Sequence, residues 1–140
     1  MDEWKQVISA ANQAFGVRDF SLAERRYTQA CRFLEQHLAT ANADKGDLIA
    51  AMVVSYANLA ELYFKQQRFD VGFSQYIQLH QQLQQCECQF ADCLQTQLMV
   101  SSARRQMGTQ LMHALKENGV NFQEAWKVLR TLFPSSYTLH

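Results

Sequence analysis

The sequence predicts an all-α fold built from repeated helical hairpins. Three observations carry that expectation. Apolar residues recur at three- and four-residue spacing over long stretches, which is the period of one helix face. A single Pro and five Gly in 140 residues leave little to interrupt those stretches. The pattern of Tyr56–Leu79, YANLAELYFKQQRFDVGFSQYIQL, also returns in weaker form on either side of itself. Hydrophobic content of 48% suits a folded chain of one domain with a real core. We expect that domain over 1–134 and a frayed tail over 135–140.

In chain order, Asp2 can cap a first helix from Glu3 to Val17, with Val7, Ala10, Ala11, Ala14 and Phe15 as its apolar face. The turn is Val17-Arg18-Asp19-Phe20. Ser21-x-x-Glu24 has the spacing of a capping box, in which each side chain satisfies the other residue's backbone N–H. Ala23, Tyr27 and Ala30 then face inward on the second helix. Asn42, Asp44, Gly46 and Asp47 suggest a loop over Ala39–Asp47, with a helix-terminating Gly and a new N-cap.

The central hairpin is the clearest. Tyr56, Leu59, Ala60, Tyr63 and Phe64 share one face, and Val54, Asn58, Glu61 and Lys65 form a mostly polar stripe opposite, so this helix is expected to be two-sided. Phe69 precedes Asp70, a candidate cap for a helix carrying Phe73, Tyr76, Ile77 and Leu79 inward. Gly72 costs roughly 1 kcal/mol relative to Ala in a helix interior, which is best tolerated where another segment comes close. Ala60 and Gly72 are the expected crossing pair. Beyond the Gln-rich run 81–85, a turn is expected near Cys86–Gln89. A helix from Phe90 to Lys116 would follow, with Phe90, Leu94, Leu98, Ala103, Met107, Leu111 and Leu115 inward. Asn118-Gly119 stops it, Asn121-x-x-Glu124 starts another, and Phe122, Ala125, Trp126, Leu129 and Leu132 give the last apolar face before Pro134.

Tyr56-x2-Leu59-Ala60-x2-Tyr63, Phe69 at the turn and Gly72-x3-Tyr76 resemble the tetratricopeptide repeat (TPR), although the closing Pro is absent. Phe20 and Phe69 lie 49 residues apart and Phe69 and Phe122 lie 53 apart, both longer than the family's usual 34-residue repeat. The resemblance therefore implies a right-handed TPR-like α–α superhelix of about three elongated hairpins. It further implies a concave groove, lined by the first helix of each hairpin, that takes a peptide or a partner's segment. By that resemblance the groove residues are Lys5, Ser9 and Asn12 (with Gly16 beside them) and Asn58, Glu61 and Lys65. Some members clamp a partner's C-terminal carboxylate with paired Asn and several cations. Asn12 and Asn58 fall on the Asn positions, but Ile8, Met107 and Leu111 stand where cations belong, with Arg104 and Arg105 close by, so that variant is poorly supplied with charge-assisted donors.

The other residue clusters are weaker signals. Cys86-x-Cys88-x4-Cys93, with His80 upstream, departs from the twice-repeated short Cys spacing of structural zinc sites. A metal- or redox-responsive protein using Cys86, Cys88 and Cys93 is nonetheless the alternative reading, with Cys31 as a core thiol. His37, His80, His113 and His140 accompany no catalytic motif, so neither an enzyme nor a cofactor is expected. A formal net charge of zero disfavours nucleic acid, and Arg25-Arg26 and Arg104-Arg105 are short pairs. The longest apolar run, Leu48–Val54, falls short of a bilayer span, and the N-terminus lacks the order of a signal peptide. Trp4 and Trp126 are expected in core or cap packing. The sequence-based expectation is a cytoplasmic adaptor with a protein or peptide partner and neither membrane nor nucleic-acid contact.

Overall fold

The computed structural model describes residues 2–38 and 45–132, with Phe122 described by its backbone alone. The expected loop residues Asn42 and Asp44, Pro134 and the tail 135–140 lie outside those residues. Six helices follow one another: α1 (Asp2–Gly16), α2 (Phe20–Leu38), α3 (Lys45–Lys65), α4 (Phe69–Gln89), α5 (Leu94–Glu117) and α6 (Phe122–Leu132). The all-α expectation therefore holds. α3 is the hub, packed against α2, α4 and α5; α1 lies on α2, α5 also meets α4, and α6 lies on α4.

Two turns are copies of each other. Arg18 and Gln67 both take a left-handed backbone, with φ of 63° and 60°. The Asp19 and Arg68 amides then reach back to the Ala14 and Tyr63 carbonyls at 2.9 and 2.8 Å. This is the way helices end on a left-handed residue, satisfying carbonyls that the helix leaves over. The 49-residue shift read from Phe20 and Phe69 is thus a backbone repeat. The third turn places Gly119 at φ 61° and bonds the Val120 amide to the Leu115 carbonyl at 3.1 Å. Gly119 stands 52 residues after Gln67, while Phe122 stands 53 after Phe69, because this turn holds one extra residue before its next helix.

Several local expectations are corrected. Ser21 and Glu24 do not form a capping box: α2 begins at Phe20, and the Asp19 carboxylate accepts the Leu22 amide at 3.2 Å instead. Asp70 is not an N-cap; Arg68 holds that place without a side-chain bond, and Asp70 sits in the first turn, where a negative charge suits the helix dipole. Gly46 and Asp47 belong to the first turn of α3 rather than to a loop. α4 runs through Cys86 and Cys88 to Gln89, so the turn falls at 90–93. No Gly or Pro is needed there, because the Gln97 side chain donates to the Glu87 and Phe90 carbonyls at 3.0 and 3.1 Å. Asn121 does cap α6, accepting the Gln123 amide at 2.8 Å.

Burial also redraws the faces. α3 buries 13 residues, including Val53, Ser55, Ala57 and Leu62, and is far from two-sided. By length and mean hydropathy (1.2) α3 could cross a membrane, yet 72% of its apolar window is buried inside the fold, as befits a core helix. On α1, Ile8 is buried and Ala10 exposed. On α5 the inward line is Thr96, Val100, Ala103, Met107, Leu111 and Ala114. Leu94 and Leu98, expected inside, are 73% and 61% exposed.

Ala60 and Gly72 are both buried, but they are not shown as a backbone crossing. What stands closest to Gly72 is the Phe64 ring: a Cβ at 72 would lie 2.4 Å from it. That ring is wedged among Phe69, Phe73 and Tyr76 at centroid distances of 6.2, 5.4 and 6.5 Å, so it has nowhere to retreat. Gly72→Ala should therefore lower stability by about 1–3 kcal/mol despite the better helix propensity of Ala. Gly16→Ala, where nothing lies within 4 Å, should change it by less than about 0.5 kcal/mol. Urea unfolding of the two variants checks this, and equal stability of both would refute the wedge.

Candidate functional site

The helices that open each hairpin, α1, α3 and α5, carry a polar strip. On α1, Lys5, Ser9, Asn12 and Gly16 are exposed. On α3, Asn58 and Glu61 are half-buried and Lys65 is exposed; with Val54 they form the one line of this helix's middle and end that the core does not cover. The two stripes meet, since Asn58 Nδ2 lies 3.5 Å from Asn12 Oδ1. Trp4 ties the same helices by donating its indole N–H to Ser55 Oγ at 2.8 Å.

Sequence reasoning named no third stripe, only the clamp's cation positions at Met107 and Leu111. A shift of 53 from Asn58 gives Leu111, which is core; the backbone shift of 52 gives Gln110, and from Glu61 and Lys65 it gives His113 and Glu117. Gln110, His113 and Glu117, with Thr109, Asn58, Glu61 and Tyr76, line a cleft of about 410 Å³ between α3 and α5. The signal that could have found them was the polar 110–113–117 spacing, read from the Gly119 turn rather than from Phe122. Glu61 is held in place: Asn118 Nδ2 lies 3.3 Å from each of its oxygens and Lys65 Nζ lies 3.4 Å away. His113 and Glu117 sit 3.2 Å apart, an ion pair only when the imidazole is protonated.

Beneath the strip, buried tyrosines fasten neighbouring helices. Tyr27 donates its hydroxyl to Asn12 Oδ1 at 2.5 Å, Tyr63 donates to Glu24 at 2.8 Å, and Tyr56 donates to Glu35. Burial pushes the Tyr27 and Tyr63 hydroxyls up to about 12, with the Glu24 bond adding at Tyr63, so both stay protonated donors. Asn12 therefore has a structural duty that the sequence did not disclose. The cation positions of a carboxylate clamp are empty of charge: Ile8, Met107 and Leu111 are buried, and Arg104 is bonded to His80 and Glu87.

The cysteines do not form one site. Cys31 and Cys86 are buried while Cys88 and Cys93 are exposed, and all four are free. Burial pushes the Cys31 thiol up to about 12 and raises Cys86, whereas the Thr96 hydroxyl, 3.2 Å from Cys93 Sγ, lowers Cys93. Among the described residues no three His, Cys, Asp or Glu side chains converge as metal ligands. A larger hollow of about 520 Å³ lies between α1 and α2, where Glu3 and Glu24 alternate with Arg25 and Arg32. Glu24 there is engaged by Tyr63 and Arg68.

His80 spans α4 and α5, its Nδ1 2.7 Å from the Arg104 guanidinium. An arginine can only donate, so Nδ1 is the acceptor and the imidazole is neutral. Burial first, and then Arg104, lower its pKa against the pull of Glu87. The unfolded chain therefore binds the extra proton more readily, and stability is lost as pH falls through about 6.5. The loss should be small, about 0.5 kcal/mol or less between pH 7 and pH 5, because solvent screens the group. His80→Gln should show a correspondingly flatter unfolding profile, and an unchanged slope would refute the assignment. Asn12→Ala should cost about 1 kcal/mol by stranding the Tyr27 hydroxyl, against about 0.5 kcal/mol or less for Ser9→Ala. Thermal melts of both separate the structural role from the surface one.

A family model with the description "Protein of unknown function (DUF2753)" matches residues 2–136. No curated protein and no solved structure matches the chain.

Proposed function

We propose that this chain, which belongs to the family described as "Protein of unknown function (DUF2753)", is a binding scaffold that holds an extended peptide or partner segment along the strip on α1, α3 and α5. The observation that carries this reading is the polar strip itself. Ser9 and Asn12, then Asn58 and Glu61, then Gln110 and His113 occupy matching positions in successive hairpins, with Lys5, Lys65 and Glu117 on the same strip. The helix-ending turns behind them repeat at 49 and 52 residues, which supports a TPR-like superhelical arrangement of the three hairpins. Amides spaced along such a strip suit an extended backbone, whose N–H and C=O groups need partners on one side.

Asn12 is a poor probe of the strip because it also anchors Tyr27. The test uses a phage-displayed library of random 12-residue peptides selected on the purified protein. Selected peptides should lose at least about tenfold in affinity for Asn58→Ala/Gln110→Ala and for Ser9→Arg, and bind normally to Gln84→Ala on α4. Peptides that bind all four proteins alike would overturn the proposal.

A further inference from the structure

We propose that Asn118-Gly119 is a self-modification site, a point of spontaneous deamidation that Glu61 keeps latched. The chemistry needs no partner and stands apart from the binding reading above. An Asn side chain followed by glycine can close on its own backbone. The Gly119 amide nitrogen attacks Asn118 Cγ; an N–C bond forms and the Cγ–Nδ2 bond breaks. Nδ2 leaves as ammonia, carrying the proton that the attacking nitrogen gives up. Water then opens the succinimide at either carbonyl, which leaves an aspartate or an isoaspartate. Glycine favours the closure because it has no Cβ to obstruct its nitrogen. Here Gly119 is exposed, with nothing within 4 Å of where a Cβ would stand. The matching positions of the first two turns are Val17-Arg18 and Gln66-Gln67, so the third turn alone pairs an Asn with a Gly.

The fold holds the reaction back in two ways. Asn118 is the C-cap of α5, at φ −100° and ψ 4°. That ψ turns the Gly119 nitrogen away from the Asn118 side chain, whereas ring closure needs both on one side. The leaving amide is also tied down. Its Nδ2 lies 3.3 Å from each Glu61 oxygen and donates to the Ala114 carbonyl at 2.8 Å. The Glu61 bonds join α5 to α3, so the turn reaches the reactive geometry only when the end of α5 opens locally. Completion reverses the latch. A carboxylate at 118 faces Glu61 where an amide donor stood, and like charges at that range repel. The change is one-way, so molecules with a loosened α3–α5 junction accumulate with age.

The test incubates the full chain at 37 °C and pH 8 and follows the tryptic peptide Glu117–Lys127 by mass spectrometry. That peptide carries Asn121, followed by Phe122, as an internal control. Aspartate and isoaspartate at 118 should appear at least about tenfold faster in urea than in the native protein, with Asn121 far behind in both. Glu61→Ala should speed the native reaction several-fold and leave the rate in urea unchanged. Gly72→Ala, which destabilises the fold away from this turn, should not speed it. Asn118→Asp should lower the melting temperature by several degrees, whereas Asn121→Asp should not, since Asp caps a helix as well as Asn does. Equal native rates in wild type and Glu61→Ala, or equal acceleration by Glu61→Ala and Gly72→Ala, would overturn the latch. A rate at Asn118 no greater than at Asn121 in urea would overturn the site itself.

Discussion

The structure depends on one constraint: α3 must be covered on almost every side. Its 13 buried residues leave no face on which the helix could stand alone in water. α2, α4 and α5 supply the cover, and α1 and α6 close over α2 and α4 in turn. The aromatic wedge of Phe64 between Gly72, Phe73 and Tyr76 fixes how closely α4 approaches. What remains uncovered on the middle and end of α3 is the line Val54, Asn58, Glu61 and Lys65. The polar strip is thus what the cover leaves open, and its position follows from where the neighbours pack.

Much of this was legible in the sequence. The helix class, the first two hairpins and their 49-residue shift could be read because each turn breaks the apolar period sharply, and Phe20 and Phe69 mark the restart of each. The third hairpin was misread by one residue. Phe122 is a valid marker for the start of α6 but a misleading one for the end of α5, since the added residue in the intervening turn decouples them. That single step put the counterpart of Asn58 on core Leu111 rather than on Gln110, so no third stripe was named and Gln110, His113 and Glu117 went unread. The α4–α5 turn was illegible for another reason. The groups that complete it come from Gln97, a residue inside the next helix, and no local signal announces a long-range cap.

Side-chain roles were harder to read than positions. Asn12 and Asn58 were recognised as a pair, and they do meet. Nothing in a one-dimensional pattern says that Tyr27 lies beneath Asn12, or that Glu24 and Glu35 receive the hydroxyls of Tyr63 and Tyr56. These bonds join residues 15 to 39 positions apart, across helices whose relative heights only the packed structure defines. They also explain why tyrosine rather than phenylalanine suits those core positions: the ring fills space, and the buried hydroxyl finds an acceptor on the adjoining helix.

α3 occupies the middle of the chain as well as the middle of the fold. Two of its three main partners, α2 and α4, adjoin it in sequence, so the loops that bring those contacts together during folding are short. During synthesis from the N-terminus, however, α1 and α2 emerge before the surface they lean on. Tyr27, Ala30, Cys31 and Leu34 stay without their full cover until the ribosome has released α3. The first half of this protein therefore waits for its centre, and residues 2–38 cut away on their own would be left with an apolar flank facing solvent.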